Sequence, residues 1–180
     1  FVISNERFSN VSYCLFIFKK FILVKIDWAL VKVMDKLIRI MLIEEDLGDA
    51  ALVMQALKKS QLKHELKWIE RNHFFEEELS QFDPDVLLIN DSIELGKLTL
   101  LIDNAKKYNS DLPVILVTNT ESEQFIISCF EMGIDDYVSK KALVRLSSII
   151  KNTFAKIDAR RERDIVRLAH QQLQSAFSEM

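Results

Sequence analysis

The sequence predicts an α/β domain: a doubly wound, five-stranded parallel sheet followed by an extended C-terminal helix. Three observations carry this prediction. Short apolar runs without polar alternation recur at 37–43, 85–90 and 113–118, the pattern of strands buried on both faces. Between them lie segments whose apolar residues step by three and four, as on one face of a helix. Strand and helix alternate five times, which calls for a parallel sheet with helices on both faces and right-handed crossovers.

Taken in order, 37–43 is β1, an apolar run broken only by Arg39 and ending in Glu44-Glu45-Asp46. Residues 49–60 form α1, with Leu52, Val53, Ala56 and Leu57 on one face and Asp49 placed to cap or charge its first turn. Residues 65–70 form β2, shorter and nearer an edge, and 72–81 form α2 with Asn72 as its cap. The central strand β3 covers 85–90. Pro84 opens it, Val86 to Ile89 fill it, and Asn90-Asp91 close it. Residues 97–108 form α3 with Leu98, Leu101, Ile102 and Ala105 inward, and 113–118 form β4. Residues 121–132 form α4, stopped by Gly133, a C-terminal helix signal. Residues 136–139 form β5, and a long helix α5 starts near Ala142.

Composition bounds the function. The chain has 180 residues, 49% of them apolar, enough to bury a core. Its net charge of -3 argues against nucleic acid as a direct partner. Residues 1–33 carry five basic and two acidic side chains, a local +3, which leaves the remainder at about -6. Cys14 and Cys129 have no metal-site spacing and fit free thiols in a reducing cytoplasm. Three glycines leave no Gly-rich phosphate loop. No apolar stretch in 1–33 approaches the ~20 residues of a membrane-spanning helix. That segment is read as a leader foreign to the domain, with the natural start near Met34 and an interfacial membrane helix as the alternative.

The topology gathers polar groups at the carboxyl edge of the sheet, where open α/β sheets keep their sites. β1 delivers Glu44, Glu45 and Asp46; β3 delivers Asn90 and Asp91; β4 delivers Thr118; β5 delivers Lys140. Clustered carboxylates repel and call for a hard cation, and Mg²⁺ takes one or two carboxylates plus carbonyls and waters. A hydroxyl and an ammonium beside such a site suit a phosphoryl group.

On these residues, 37 to about 156 resembles the receiver domain of the two-component response-regulator family. The turn from Ile43 to Ala50 resembles the family's acidic first-strand motif, and Pro84-Asp85 with four apolar residues resembles the run leading to the phosphoacceptor. Leu112 to Thr118 resembles the fourth strand with its switch hydroxyl, and Gly133 to Lys140 resembles the fifth strand with its switch aromatic, Tyr137, and its lysine. The resemblance implies a flavodoxin-like sheet of order 2-1-3-4-5 and a phosphorelay role with no enzyme reaction of its own. It implies a Mg²⁺ site at Glu44, Glu45, Asp46 and the Ser92 backbone carbonyl. It also implies phosphate contacts at Thr118, Tyr137 and Lys140.

The departures matter as much. The family places an acceptor Asp where this chain has Asn90, and a carboxamide is neither charged nor nucleophilic enough to form an acyl phosphate. Asp91 is adjacent, but one step along a strand turns a side chain to the other face unless a bulge re-aims it. Glu45 is one methylene longer than the Asp usual at the second acidic place. Glu94 and Lys141 stand where proline is frequent. The favoured reading is therefore a pseudo-receiver acting as a protein-docking module, with Lys140 hydrogen-bonding Asn90. The alternative is a regulator phosphorylated at Asp91 with Mg²⁺, and a further one is a flavodoxin-like binder of a small molecule.

Three segments follow from this: the leader 1–33, the receiver 34–156 and a C-terminal signalling helix 157–180. In the last, Val166, Ala169, Leu173, Ala176 and Met180 step like a short heptad stripe. Expected partners are a sensor histidine kinase or another signalling protein. A homodimer would form through the C-terminal helix or the α4-β5-α5 face, which holds Phe125, Phe130, Tyr137 and Arg145.

Overall fold

The computed structural model describes residues 37–70 and 75–178, so the leader expected over 1–33 and the cap expected at Asn72 lie outside the described residues. The elements are β1 (Ile38–Ile43), α1 (Leu47–Lys59), β2 (His64–Ile69), α2 (Phe75–Phe82), β3 (Val86–Asn90), α3 (Leu95–Tyr108), β4 (Val114–Thr118), α4 (Glu123–Met132), β5 (Asp136–Ser139), a 3₁₀ turn (Lys140–Arg145) and α5 (Leu146–Ser178). The sheet runs β2-β1-β3-β4-β5 with every pairing parallel, as the sequence predicts.

β3 sits at the centre because Val86 to Ile89 offer no polar side chain that wants water. All five of its residues are buried, and each of its four apolar side chains gains about 1.5–3 kcal/mol on leaving solvent. Strand alternation splits them between two cores. Leu87 and Ile89 join Phe75 and Leu79 of α2, Leu98 and Ile102 of α3 and Cys129 of α4. Val86 and Leu88 join Ala50, Val53 and Leu57 of α1 and Leu146, Ile149 and Ile150 of α5. Helices therefore cover both faces, and the strand ends are left open at the carboxyl edge.

Helix limits follow local chemistry. Asp46 caps α1 by accepting the Asp49 N–H at 2.8 Å, so α1 starts earlier than its apolar stripe suggests and Asp49 falls inside the first turn. Ser122 caps α4 in the same way, through the Phe125 N–H. Gly133 ends α4 at φ 106°, a left-handed conformation that costs glycine no side-chain clash.

The 33-residue α5 is about 50 Å long at 1.5 Å per residue. Ile149, Ile150, Thr153 and Ile157 are buried, and from Asp158 to Leu168 every residue is exposed. Ile165, Val166 and Leu168 stand open on this extension, at 67%, 68% and 54% exposure. The stripe side chains of Ala169, Leu173, Ala176 and Met180 lie outside the described ones. Arg160 and Arg161 both grip Asp111, at 2.6 and 2.7 Å, and Lys156 reaches Asp136 at 2.8 Å, tying the start of the extension to the domain. The two arginine hydrogen bonds hold the Asp111 carboxyl below its usual range.

Candidate functional site

The carboxyl edge brings together part of the polar set expected there, in two separate networks. The first is built on Glu44, which directly follows β1 and is completely buried. One of its carboxylate oxygens accepts from the Asn90 side-chain amide and, at 3.0 Å, from the Asp46 N–H. The other faces the Lys140 ammonium at 3.4 Å. The Glu44 carbonyl accepts the Trp68 indole N–H at 2.8 Å, which pins the end of β1 to β2.

Asn90, also fully buried, is oriented by chemistry. A carboxylate only accepts, so the amide nitrogen must face Glu44. That nitrogen also donates to Ser92 Oγ at 2.9 Å, and Asn90 Oδ1 accepts the Ser92 N–H at 3.3 Å. The Lys140 side chain is only 7% exposed, and besides Glu44 it donates to Asp49 of α1. Burial opposes the charge on Lys140, but the bond to Asp49 and the charges of Glu44 and Asp49 outweigh it and raise its pKa. The expected bond between Lys140 and Asn90 is replaced by these two carboxylate contacts.

The second network is built on Asp91. β3 ends at Asn90 and Asp91 begins the turn; one step past Asn90, level with Thr118 in the β3–β4 register, its side chain turns away from Asn90 and toward Thr118. Its carboxylate accepts from the Thr118 hydroxyl and, at 3.2 Å, from the Asn119 N–H. Thr118 is fully buried and its oxygen accepts the Thr120 N–H at 2.8 Å, so the loop entering α4 hangs on this hydroxyl. Burial, and secondarily the Asp91 charge, pushes the thiol of core residue Cys129 up.

The remaining residues stand apart. Glu45 is exposed, and the Asp46 side chain is committed to the α1 cap. Tyr137 points outward at 42% exposure and packs edge-on against Phe130, with ring centroids 6.2 Å apart at 84°. Sequence reasoning gave Asp49 only a capping or charging role, and it missed Trp68 and Asn119 as partners. The available signal for Asp49 was an acidic residue in the first turn of α1, above the sheet edge.

The donor set does not fit a Mg²⁺ ion. Among the described residues no three His, Cys, Asp or Glu side chains are grouped to hold a metal. Both Glu44 oxygens have donors, Asp46 caps a helix and Glu45 faces outward, so the three carboxylates expected to hold the ion are not gathered around one point. No helix among the described residues is long and apolar enough to cross a membrane.

Comparison with known proteins agrees with the topology. The family model of the response regulator receiver domain matches residues 40–151. No curated protein sequence matches the chain. Among solved structures, NtrX from Brucella abortus in complex with ADP aligns with a TM-score of 0.61 at 19% identity. That alignment covers 73% of this chain, which spans 29% of the NtrX chain. A CheY-like receiver domain protein from Methanospirillum hungatei JF-1 aligns at 0.55 and 18% identity, over 71% of this chain and 99% of its own. The Mn(2+)-bound response regulator Rcp1 aligns at 0.50 and 22% identity, over 64% and 88%. With a parallel sheet in the order 2-1-3-4-5 and a family match over most of the described domain, this chain belongs to the response regulator receiver domain family of two-component signalling.

Proposed function

We propose that this receiver works as a docking module whose state does not depend on phosphorylation of residue 90. The observation that carries the reading is the buried Asn90 amide donating to Glu44 while Lys140 is held by Glu44 and Asp49. A phosphoacceptor must offer a charged, accessible oxygen. Asn90 offers a neutral one already bonded to the Ser92 N–H. The receiver spans 34–156 and the helix over 157–180 carries its output. A sensor histidine kinase or another signalling protein in the cytoplasm meets it on the α4-β5-α5 face. That face carries exposed Ile127 and Phe130 one turn apart on α4, with Tyr137 beside Phe130. Homodimerisation through that face or through the exposed Ile165 and Val166 of α5 is the expected assembly.

The placement of Asp91 favours a second reading, in which it is the acceptor. Its carboxylate lies against the Thr118 hydroxyl and the Asn119 N–H, donors suited to phosphoryl oxygens. One experiment separates the two. The protein is incubated with Mg²⁺ and acetyl phosphate, then followed by intact mass and by amide shifts at Thr118 and Lys140. No phosphoryl adduct and no shift, with the fold intact, supports the docking module. A single phosphoryl gain abolished by Asp91→Ala sinks it and establishes a displaced-site switch.

A further inference from the structure

The buried Glu44 at the end of β1 finds its counter-charge inside the chain, and this goes beyond the loss of an acceptor, although it rests on that reading. Glu44 is completely buried, where an uncompensated carboxylate is expensive. Three donors meet it: the Asn90 amide, the Asp46 N–H and the Lys140 ammonium. Lys140 also engages Asp49, so one buried cation bridges two carboxylates.

We propose that the Lys140 ammonium takes the place of the divalent cation, so that the site is complete without one. Charge decides this. Glu44, Asp49 and Lys140 together carry one net negative charge, and Asp49 is 29% exposed, so water supports that remainder. With a carboxylate at position 90, the same pocket would hold one more negative charge directly against Glu44. The single Lys140 ammonium would then face three carboxylates, and a further proton or a hard cation would be needed to relieve the excess. Asn90 removes that demand and supplies a donor in its stead. A Mg²⁺ ion entering the pocket would have to displace the ammonium from both carboxylates and shed part of a reluctantly lost water shell. Lys140 thus holds a latent cation site shut, and Asn90 removes the reason to open it.

The test is a Mn²⁺ titration of the full chain, read by loss of the free-ion electron paramagnetic resonance signal and by Trp68 fluorescence in a Trp28→Phe background. The wild-type chain takes up no stoichiometric Mn²⁺ below about 10 mM. Lys140→Met, which frees Glu44 and Asp49, binds one Mn²⁺ at least about tenfold more tightly, and the ion raises its melting temperature. Asn90→Asp, which keeps the lysine and adds a carboxylate, gains a Mn²⁺ site as well. This second variant decides the matter if Lys140→Met does not fold. Sub-millimolar 1:1 binding by the wild type overturns the proposal, as does a folded Asn90→Asp chain that binds no better than wild type. Phosphoryl uptake at Asp91 would refute the docking reading alone, since the Mn²⁺ readout is independent of it.

Discussion

Replacing Lys140 by Met in metal-free buffer tests the ion pair as a structural element. Methionine keeps the apolar stem but removes the ammonium, and Glu44 is then buried with only the Asn90 amide and the Asp46 N–H as donors. Breaking a buried pair by removing one partner costs about 3–5 kcal/mol. The retained donors and the partly exposed Asp49, which regains solvent, place this case at the lower end, about 3 kcal/mol. Adding Glu44→Gln removes the stranded charge, and the double variant should recover about half of the loss, about 1.5 kcal/mol; the coupling is that recovery plus the cost of Glu44→Gln alone. Equilibrium urea unfolding measures both as shifts in midpoint at constant slope. The pair also sets a pH signature. The folded pKa of Lys140 is raised, so its stabilisation is fully present below the unfolded lysine value of about 10.4 and is lost as pH rises through the higher folded value. The gap between wild type and variant should therefore stay constant from about pH 6 to about pH 9 and close only in stronger alkali. A loss under about 1 kcal/mol, or no coupling with Glu44, would refute the assignment of Lys140 as the internal neutralising cation.

Other outcomes follow from the same contacts. Thr118→Val keeps the shape but strips the hydroxyl from Asp91 and from the Thr120 N–H, and should lower stability by about 1–3 kcal/mol with amide shifts concentrated at Asn119 and Thr120. Asp111→Asn releases Arg160 and Arg161; the change should cost about 1 kcal/mol or less and widen the spin-label distance distribution between α5 and the sheet. Because the Asp111 carboxyl is held low, that difference is present above the unfolded value of about 3.9 and disappears as pH falls through the folded one, which urea midpoints at several acid pH values would detect. Leu88→Ala, at the fully buried centre of the sheet, should cost about 2–5 kcal/mol by the same urea assay.

Much of the architecture can be read from composition and spacing. The run from Val86 to Ile89 has no polar break, and a parallel strand covered on both faces is where such a run is stable. Leu98, Leu101, Ile102 and Ala105 fix the buried face of α3 because three- and four-residue steps place them on one side. The location of the site was readable for the same reason, since parallel strands deliver their last residues to one edge. Directions at that edge were readable only in part. Alternation set Asp91 on the face opposite Asn90, and since Asn90 lies beside Val117 in the β3–β4 register, that is the face of Thr118, its partner. Glu45 and Asp46 looked equivalent to Glu44, but one continues into solvent and the other is taken by the α1 cap.

The sequence by itself determined the alternating β-α order, the central strand, the edge where polar groups collect, and the carboxamide that stands at position 90. Those depend on the periodicity and identity of neighbours along the chain. Only the tertiary structure decided which carboxylates Lys140 would join. Its partners, Glu44 and Asp49, lie 96 and 91 residues away, and nothing local records that contact. Burial gives the contact its force, because a charge shut away from water must find its counter-charge within the fold.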